Sequence, residues 1–132
     1  MGVRFLLDTP VVLWLVGDPA KVPPRVRRVL ADRSNELLVS AISVLEVATK
    51  ARLGKLPEGD VLLQTWGRCM SEIAATELPV GWEHARTAGS LRWAHRDPFD
   101  RVLVAQAACD GLQLVTTDRA VRAYDGVAVL AW

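Results

Sequence analysis

The chain has 132 residues, 51% of them hydrophobic and 23% charged, with a formal net charge of +1. The hydrophobic share excludes a disordered chain, and the length fits one domain, 1–132, whose core needs no covalent staples. The near-zero net charge excludes a gross polyanion-binding bias, although the positive residues are mostly arginine, which suits phosphate contacts.

The chain opens on MGVRFLLDTPVVLWLVGDP. This stretch is apolar, but Asp8 and Pro10 interrupt it. It is too short to span a bilayer and carries no cleavage signature. A cytoplasmic protein with no membrane association is expected. Within it, VRFLL (3–7) reads as a buried strand ending at Asp8, and VVLWLVG (11–17) as a short helix closed by Gly17. PPRVRRVLADR (23–33) is a helix with proline in its first turn; Val26, Val29 and Leu30 form its apolar stripe and its arginines a solvated face.

ELLVS (36–40) reads as a second strand and SVLEVATKARLG (43–54) as a helix stopped by Gly54. One helix is expected over 59–75, a third strand over TELPV (76–80), and a helix over GWEHARTAGSLRWA (81–94). A helix from Pro98 to about Cys109, a strand LQLVTT (112–117), a short helix DRAVRAY (118–124) and a strand VAVLAW (127–132) complete the chain. Strands alternating with helices imply an α/β fold with a mainly parallel five-stranded sheet. Its strands are unbroken apolar runs, as expected when both faces are covered. The five tryptophans are scattered singly and read as core or interface mass. Cys69 and Cys109 match no zinc or disulfide spacing and read as free buried thiols.

The acids have a local explanation. Asp97 before Pro98 is a helix cap, with Asp100 at the position a capping box gives to an acid. SVLE has the capping-box pattern, with Ser43 as cap and Glu46 reaching back. Asp118 can cap the last helix, and Asp8 can open a turn. Capping does not, however, explain why they should meet. Ligands of parallel α/β folds bind beyond the carboxyl ends of the strands. Asp8 follows the first strand, Glu46 lies one helical turn past the second, and Asp118 follows the fourth. The helix carrying Asp100 enters the fourth strand through a very short turn. It therefore runs antiparallel to that strand, and its N-terminus lies at the same edge.

Carboxylates crowded together repel unless a cation sits among them. Oxygen ligands without a Cys/His cluster suit Mg²⁺ or Mn²⁺, and such ions support phosphodiester hydrolysis. Helix N-termini at this edge favour an anionic phosphate. Around the acids, Lys50 reads as a phosphate-positioning group or an i,i+4 partner of Glu46. Arg101 reads as a substrate-steering or solvated residue, and Thr117 as a hydrogen-bond partner of a ligand carboxylate or a strand end. His84 and His95 stand alone in the sequence.

The series LLDT (6–9), SAISVLEVATKARLGKL (40–56), HRDPFDRVLVAQA (95–107) and LVTTD (114–118) resembles PIN-domain ribonucleases, and more narrowly the VapC-type toxins of prokaryotic toxin–antitoxin pairs. The match spans nearly the whole chain. The resemblance implies a three-layer α/β/α sandwich and a Mg²⁺- or Mn²⁺-dependent endoribonuclease acting on structured cellular RNA. It assigns the acidic positions to Asp8, Glu46, Asp100 and Asp118, with Asp97 kept as the helix cap. It also implies a small antitoxin that covers the acidic site, and homodimerisation. Relatives often read Asp-Thr-His at the start where this chain reads Asp-Thr-Pro; Pro10 removes a polar contact and a backbone donor. Two other readings stay open: a catalytically silent PIN-like binding module, and a receiver-type Mg²⁺-binding phospho-acceptor. The second needs an orienting lysine at a late strand end, and VTTD has none.

Overall fold

The computed structural model describes residues 2–132. Five strands form one sheet: β1 (Arg4–Leu7), β2 (Glu36–Ser40), β3 (Ala75–Leu78), β4 (Gln113–Val115) and β5 (Val129–Leu130). Their order is β3-β2-β1-β4-β5, and every pairing is parallel. All five carboxyl ends therefore share one edge. The helices are α1 (Thr9–Gly17), α2 (Pro24–Ala31), α3 (Ala41–Arg52), α4 (Gly59–Gln64), α5 (Trp66–Glu72), α6 (Trp82–Ser90), α7 (Pro98–Asp110) and α8 (Arg119–Ala123), with a 3₁₀ turn at Pro19–Lys21.

Strand side chains alternate between two cores, because successive residues face opposite sides of a sheet. Phe5, Leu7, Leu37 and Val39 pack with Val11, Val26, Leu30, Val47 and Leu62. Leu6, Leu38 and Leu114 face the other way, onto Leu103, Val104, Ala107 and Val121. Helices thus cover both faces, which is why the strands read as continuous apolar runs. Leu6, Leu7, Leu103 and Leu114 are almost wholly buried, each contributing roughly 2 kcal/mol of transfer free energy.

Two glycines stop helices in the left-handed region, Gly54 (φ 72°) after α3 and Gly111 (φ 66°) after α7. Gly111 turns α7 within one residue, so that α7 runs back against β4. This places the N-terminus of α7 at the carboxyl edge.

Several expected boundaries move. The single helix over 59–75 is two, broken at Thr65. Its hydroxyl donates to Val61 O and competes with the helical ladder. The helix over 81–94 ends at Ser90, and 91–97 has no regular secondary structure. The fifth strand shrinks from six residues to Val129–Leu130. Helix α3 starts at Ala41, capped by the Ser40 hydroxyl on Ile42 N. The capping box of Ser43 and Glu46 does not form; Ser43 lies inside the helix and is buried. Val29 is 38% exposed while Val26 and Leu30 enter the core. Cys69 is buried as expected, but Cys109, in α7's last turn with its Sγ 3.5 Å from the Thr87 hydroxyl, is exposed. Among the tryptophans, Trp14 and Trp132 pack together at 6.0 Å, whereas Trp82 is 72% exposed and lies under the Arg86 guanidinium.

Candidate active site

Asp8 is the first residue past β1 and the N-cap of α1. It is 5% exposed. Its Oδ1 accepts from Thr9 N at 2.8 Å and its Oδ2 from the Thr116 hydroxyl at 2.7 Å. Pro10 falls in the first turn of α1, where a backbone N–H has no helical partner to lose. Thr9 and Ser43 hydrogen-bond through their hydroxyls at 2.8 Å. That bond ties the start of α1 to α3, one turn before Glu46. Glu46 is 7% exposed, and its Oε2 accepts from Lys50 Nζ one turn on. Lys50 is thus the i,i+4 partner of Glu46, and this bond raises the Lys50 pKa.

Asp97 caps α7, accepting from Phe99 N at 2.8 Å and Asp100 N at 3.4 Å. Asp100 lies in the first turn of α7. Asp118 caps α8 through Oδ1, which accepts from Val121 N at 3.1 Å. Asp8, Glu46, Asp100 and Asp118 therefore all come to the carboxyl edge. Capping and ligand binding do not compete at Asp118: the cap uses one oxygen, and Oδ2 has no hydrogen bond among the described residues. The same holds for Asp100 Oδ1 and Glu46 Oε1. Each carboxylate oxygen also has two lone pairs. The donor set is hard oxygen, so the residues fit Mg²⁺ or Mn²⁺.

The acids feel one another. Burial pushes the Asp8 carboxyl up from 3.8 to about 6, the Thr116 bond opposes this, and the charges of Asp100 and Glu46 add to it. Burial likewise raises Asp100, His95 opposes, and the charges of Asp97 and Asp118 add. Among the described residues the four acids do not form one tight cluster. Among the described residues the tight group is His95, Asp97 and Asp100, whose ligand atoms lie within 4.8 Å of one another.

The supporting residues differ from the sequence expectation. His95 does not stand alone: its Nε2 bonds Asp100 Oδ2 at 2.7 Å. Nor does His84, but it works elsewhere. Its Nδ1 accepts from Gly81 N, so Nε2 donates to Asp110 at 3.2 Å, far along α7 from Asp100. Arg101 neither steers substrate nor lies solvated. Its guanidinium donates to the carbonyls of Ala88, Leu91, Trp93 and His95 at 2.8–3.0 Å. Thr117 makes no side-chain hydrogen bond among the described residues; it is Thr116, wholly buried, whose hydroxyl donates to Asp8. A separate concavity of about 740 Å³, lined by residues such as Leu30, Leu37 and Ile73, opens at the amino edge of the sheet and holds none of the four acids.

The PIN-domain family model matches residues 5–127. The chain belongs to the PIN-domain family. It is 30% identical over 120 residues to Ribonuclease VapC22 of Mycobacterium tuberculosis, covering 90% of each chain. Its fold is similar to VapBC2 from Rickettsia felis, solved bound to a promoter DNA fragment (TM-score 0.72, 15% identity, 98% and 99% of the chains covered). It is also similar to VapBC-5 of M. tuberculosis, a member of the VapBC family of toxin–antitoxin systems (TM-score 0.59, 22% identity, 98% and 97% covered). In this PIN domain, sequence reasoning missed Thr116 and the partnership of His95. Strand register held the signal for Thr116. Leu7 pairs with Val115, so the next residues, Asp8 and Thr116, are neighbours.

Proposed function

We propose that this PIN domain is a Mg²⁺- or Mn²⁺-dependent endoribonuclease and the toxin of a toxin–antitoxin pair. Asp8, Glu46, Asp100 and Asp118 hold the metal, and Asp97 keeps its capping role. The observation that carries the reading is Asp8: a buried carboxylate, raised to about 6 by burial and by neighbouring acids, is costly to keep unless a cation compensates it. When bound, the metal supplies an acidified water and stabilises charge on the phosphate oxygens.

The protein's own part is positional. Thr116 and Thr9 N fix both Asp8 oxygens. His95 fixes one oxygen of Asp100 and leaves the other open. The N-terminus of α7 faces the same edge and favours an anionic phosphate.

The partner is a small antitoxin that covers the acidic edge, and the toxin itself pairs as a homodimer. The VapBC structures and VapC22 support the antitoxin partner; the covered edge and the homodimer rest on the sequence resemblance to VapC-type toxins. No helix among the described residues is long and apolar enough to cross a membrane.

The test is purified protein, freed of partner, incubated with total RNA and Mg²⁺ or Mn²⁺, beside Asp100→Asn and Asp8→Ala. Cleavage by wild type and loss of cleavage in both variants is expected. Equal cleavage by Asp100→Asn sinks the assignment of Asp100. Antitoxin binding with intact RNA in Mn²⁺ favours the silent binding module.

A further inference from the structure

Segment 91–97 links α6 to α7 without regular secondary structure, yet it is firmly held. Arg101 spends four of its five N–H donors on this segment and the end of α6. Three of the acceptors are the carbonyls of alternate residues, Leu91, Trp93 and His95. The Trp93 ring packs against His95 at 4.8 Å and against Tyr124 at 4.9 Å. His95 in turn bonds Asp100. Exposure follows the same period of two: Leu91, Trp93 and His95 are part-buried, while Arg92, Ala94 and Arg96 are exposed. Over 91–96 the odd residues thus face the protein and the even residues face out, with a bend at Ala94.

Arg92 and Arg96 consequently share the outer side of a fixed segment. Neither has an ion-pair partner among the described residues. The segment that carries them leads through His95 and Asp97 to Asp100 at the acidic edge, whose carboxylates repel a polyanion. Unpaired cations beside that edge offset the repulsion, and arginine suits phosphate oxygens.

We propose that segment 91–97 is a preformed RNA-docking element, in which Arg101 holds the backbone so that Arg92 and Arg96 meet RNA phosphates beside Asp100. The inference rests on the nuclease reading of the same edge. Arg101 is a positioning residue, since its donors are committed to carbonyls. Trp93 is a wedge rather than a base-stacking platform, since its ring is engaged by His95 and Tyr124.

The test measures binding of end-labelled bulk tRNA in EDTA by fluorescence anisotropy, from roughly 50 to 200 mM KCl. R92A/R96A should lower the slope of log K against log[KCl] by about 1.5, the loss of two phosphate contacts, and weaken binding roughly tenfold or more at low salt. R25A/R28A removes the same charge from the exposed face of α2 and should leave the slope within error of wild type. Arg101→Lys keeps the charge but not the fork, and should move the slope toward that of R92A/R96A while amide exchange over 91–97 quickens. Equal losses from the two double variants overturn the proposal, leaving only a net-charge effect. So does an unchanged slope in R92A/R96A, or wild type without salt-dependent binding. Cleavage of total RNA by wild type in Mn²⁺ tests the nuclease reading separately. A wild type that cleaves while R92A/R96A binds normally sinks this inference alone. The predicted slopes without cleavage sink the nuclease reading alone.

Discussion

The Thr116 hydroxyl joins two of the four acidic positions: it donates to Asp8 Oδ2 at 2.7 Å and accepts from the backbone N–H of Asp118 at 3.0 Å. One rigid, wholly buried side chain thus sets both the Asp8 rotamer and the start of α8. Thr116→Val keeps the shape and removes the hydroxyl. Asp8 then loses the hydrogen bond that opposes its upward shift, and its carboxylate is freer to turn. Such supporting contacts are typically worth 10- to 100-fold in metal affinity. Mn²⁺ affinity by calorimetry should fall about tenfold or more in T116V, while Thr117→Val stays near wild type. Equal Mn²⁺ affinity in T116V and wild type would remove Thr116 from the site.

The raised acids make the metal-free protein sensitive to pH in a defined direction. The folded carboxyl of Asp8 binds its proton more tightly than the unfolded one, about 6 against 3.8. Its contribution is therefore most favourable below pH 4 and is lost as pH rises through about 6. The cost above that window is about 3 kcal/mol. Asp100 is raised too and acts in the same direction. Asp8→Asn should raise the Tm of metal-free protein at pH 7.5 by several degrees, and change it little at pH 4. A Tm difference that does not vary with pH would show that burial of this carboxylate costs nothing.

The fold was legible because its signals are collective. Unbroken apolar runs, each closed by a cap or a glycine, allow few arrangements other than a covered parallel sheet. The acids were legible because Asp8, Asp100 and Asp118 each abut a strand end or a helix start, and Glu46 lies on the helix that directly follows β2. What the sequence could not show were contacts made across the chain. Thr116 and Thr117 look alike in VTTD; only the register of β4 on β1 selects the first. Arg101 next to Asp100 looks like a site residue, but α7's rotation turns its guanidinium toward the chain that precedes it. His95 looked solitary because its partner lies five residues on, across the turn into α7. Ser43 and Glu46 matched a capping box, but β2 runs directly into α3 at Ser40, so the cap lies three residues sooner.

Metal should stabilise this protein, and protons should oppose it. An ion that binds only the folded state adds about 2.7 kcal/mol at 100 times its Kd. The ligands must be ionised to bind it, and Asp8 ionises only around pH 6. Thermal melts with saturating Mn²⁺ should thus show a larger Tm gain at pH 7.5 than at pH 5, and EDTA should reverse it. The gain should vanish in an Asp8→Asn, Asp100→Asn double variant. A gain that persists in that variant points to binding elsewhere.

His95 makes the last case, because two roles can be separated by substitution. Its ring packs on Trp93, and its Nε2 holds Asp100 Oδ2. His95→Phe keeps an aromatic ring against Trp93 and removes the donor; His95→Gln keeps a donor and removes the ring. If the hydrogen bond matters, Asp100 loses a contact that holds its carboxylate down and fixes its direction. H95F should then weaken Mn²⁺ binding about tenfold with little change in Tm, and H95Q should retain most of it. If packing matters, the order reverses: H95Q lowers Tm and loosens segment 91–97, while H95F behaves as wild type. Calorimetry with Mn²⁺ and a melt of each variant distinguish these outcomes. The 2.7 Å contact, beside the oxygen that Asp100 keeps open, leads us to expect the first.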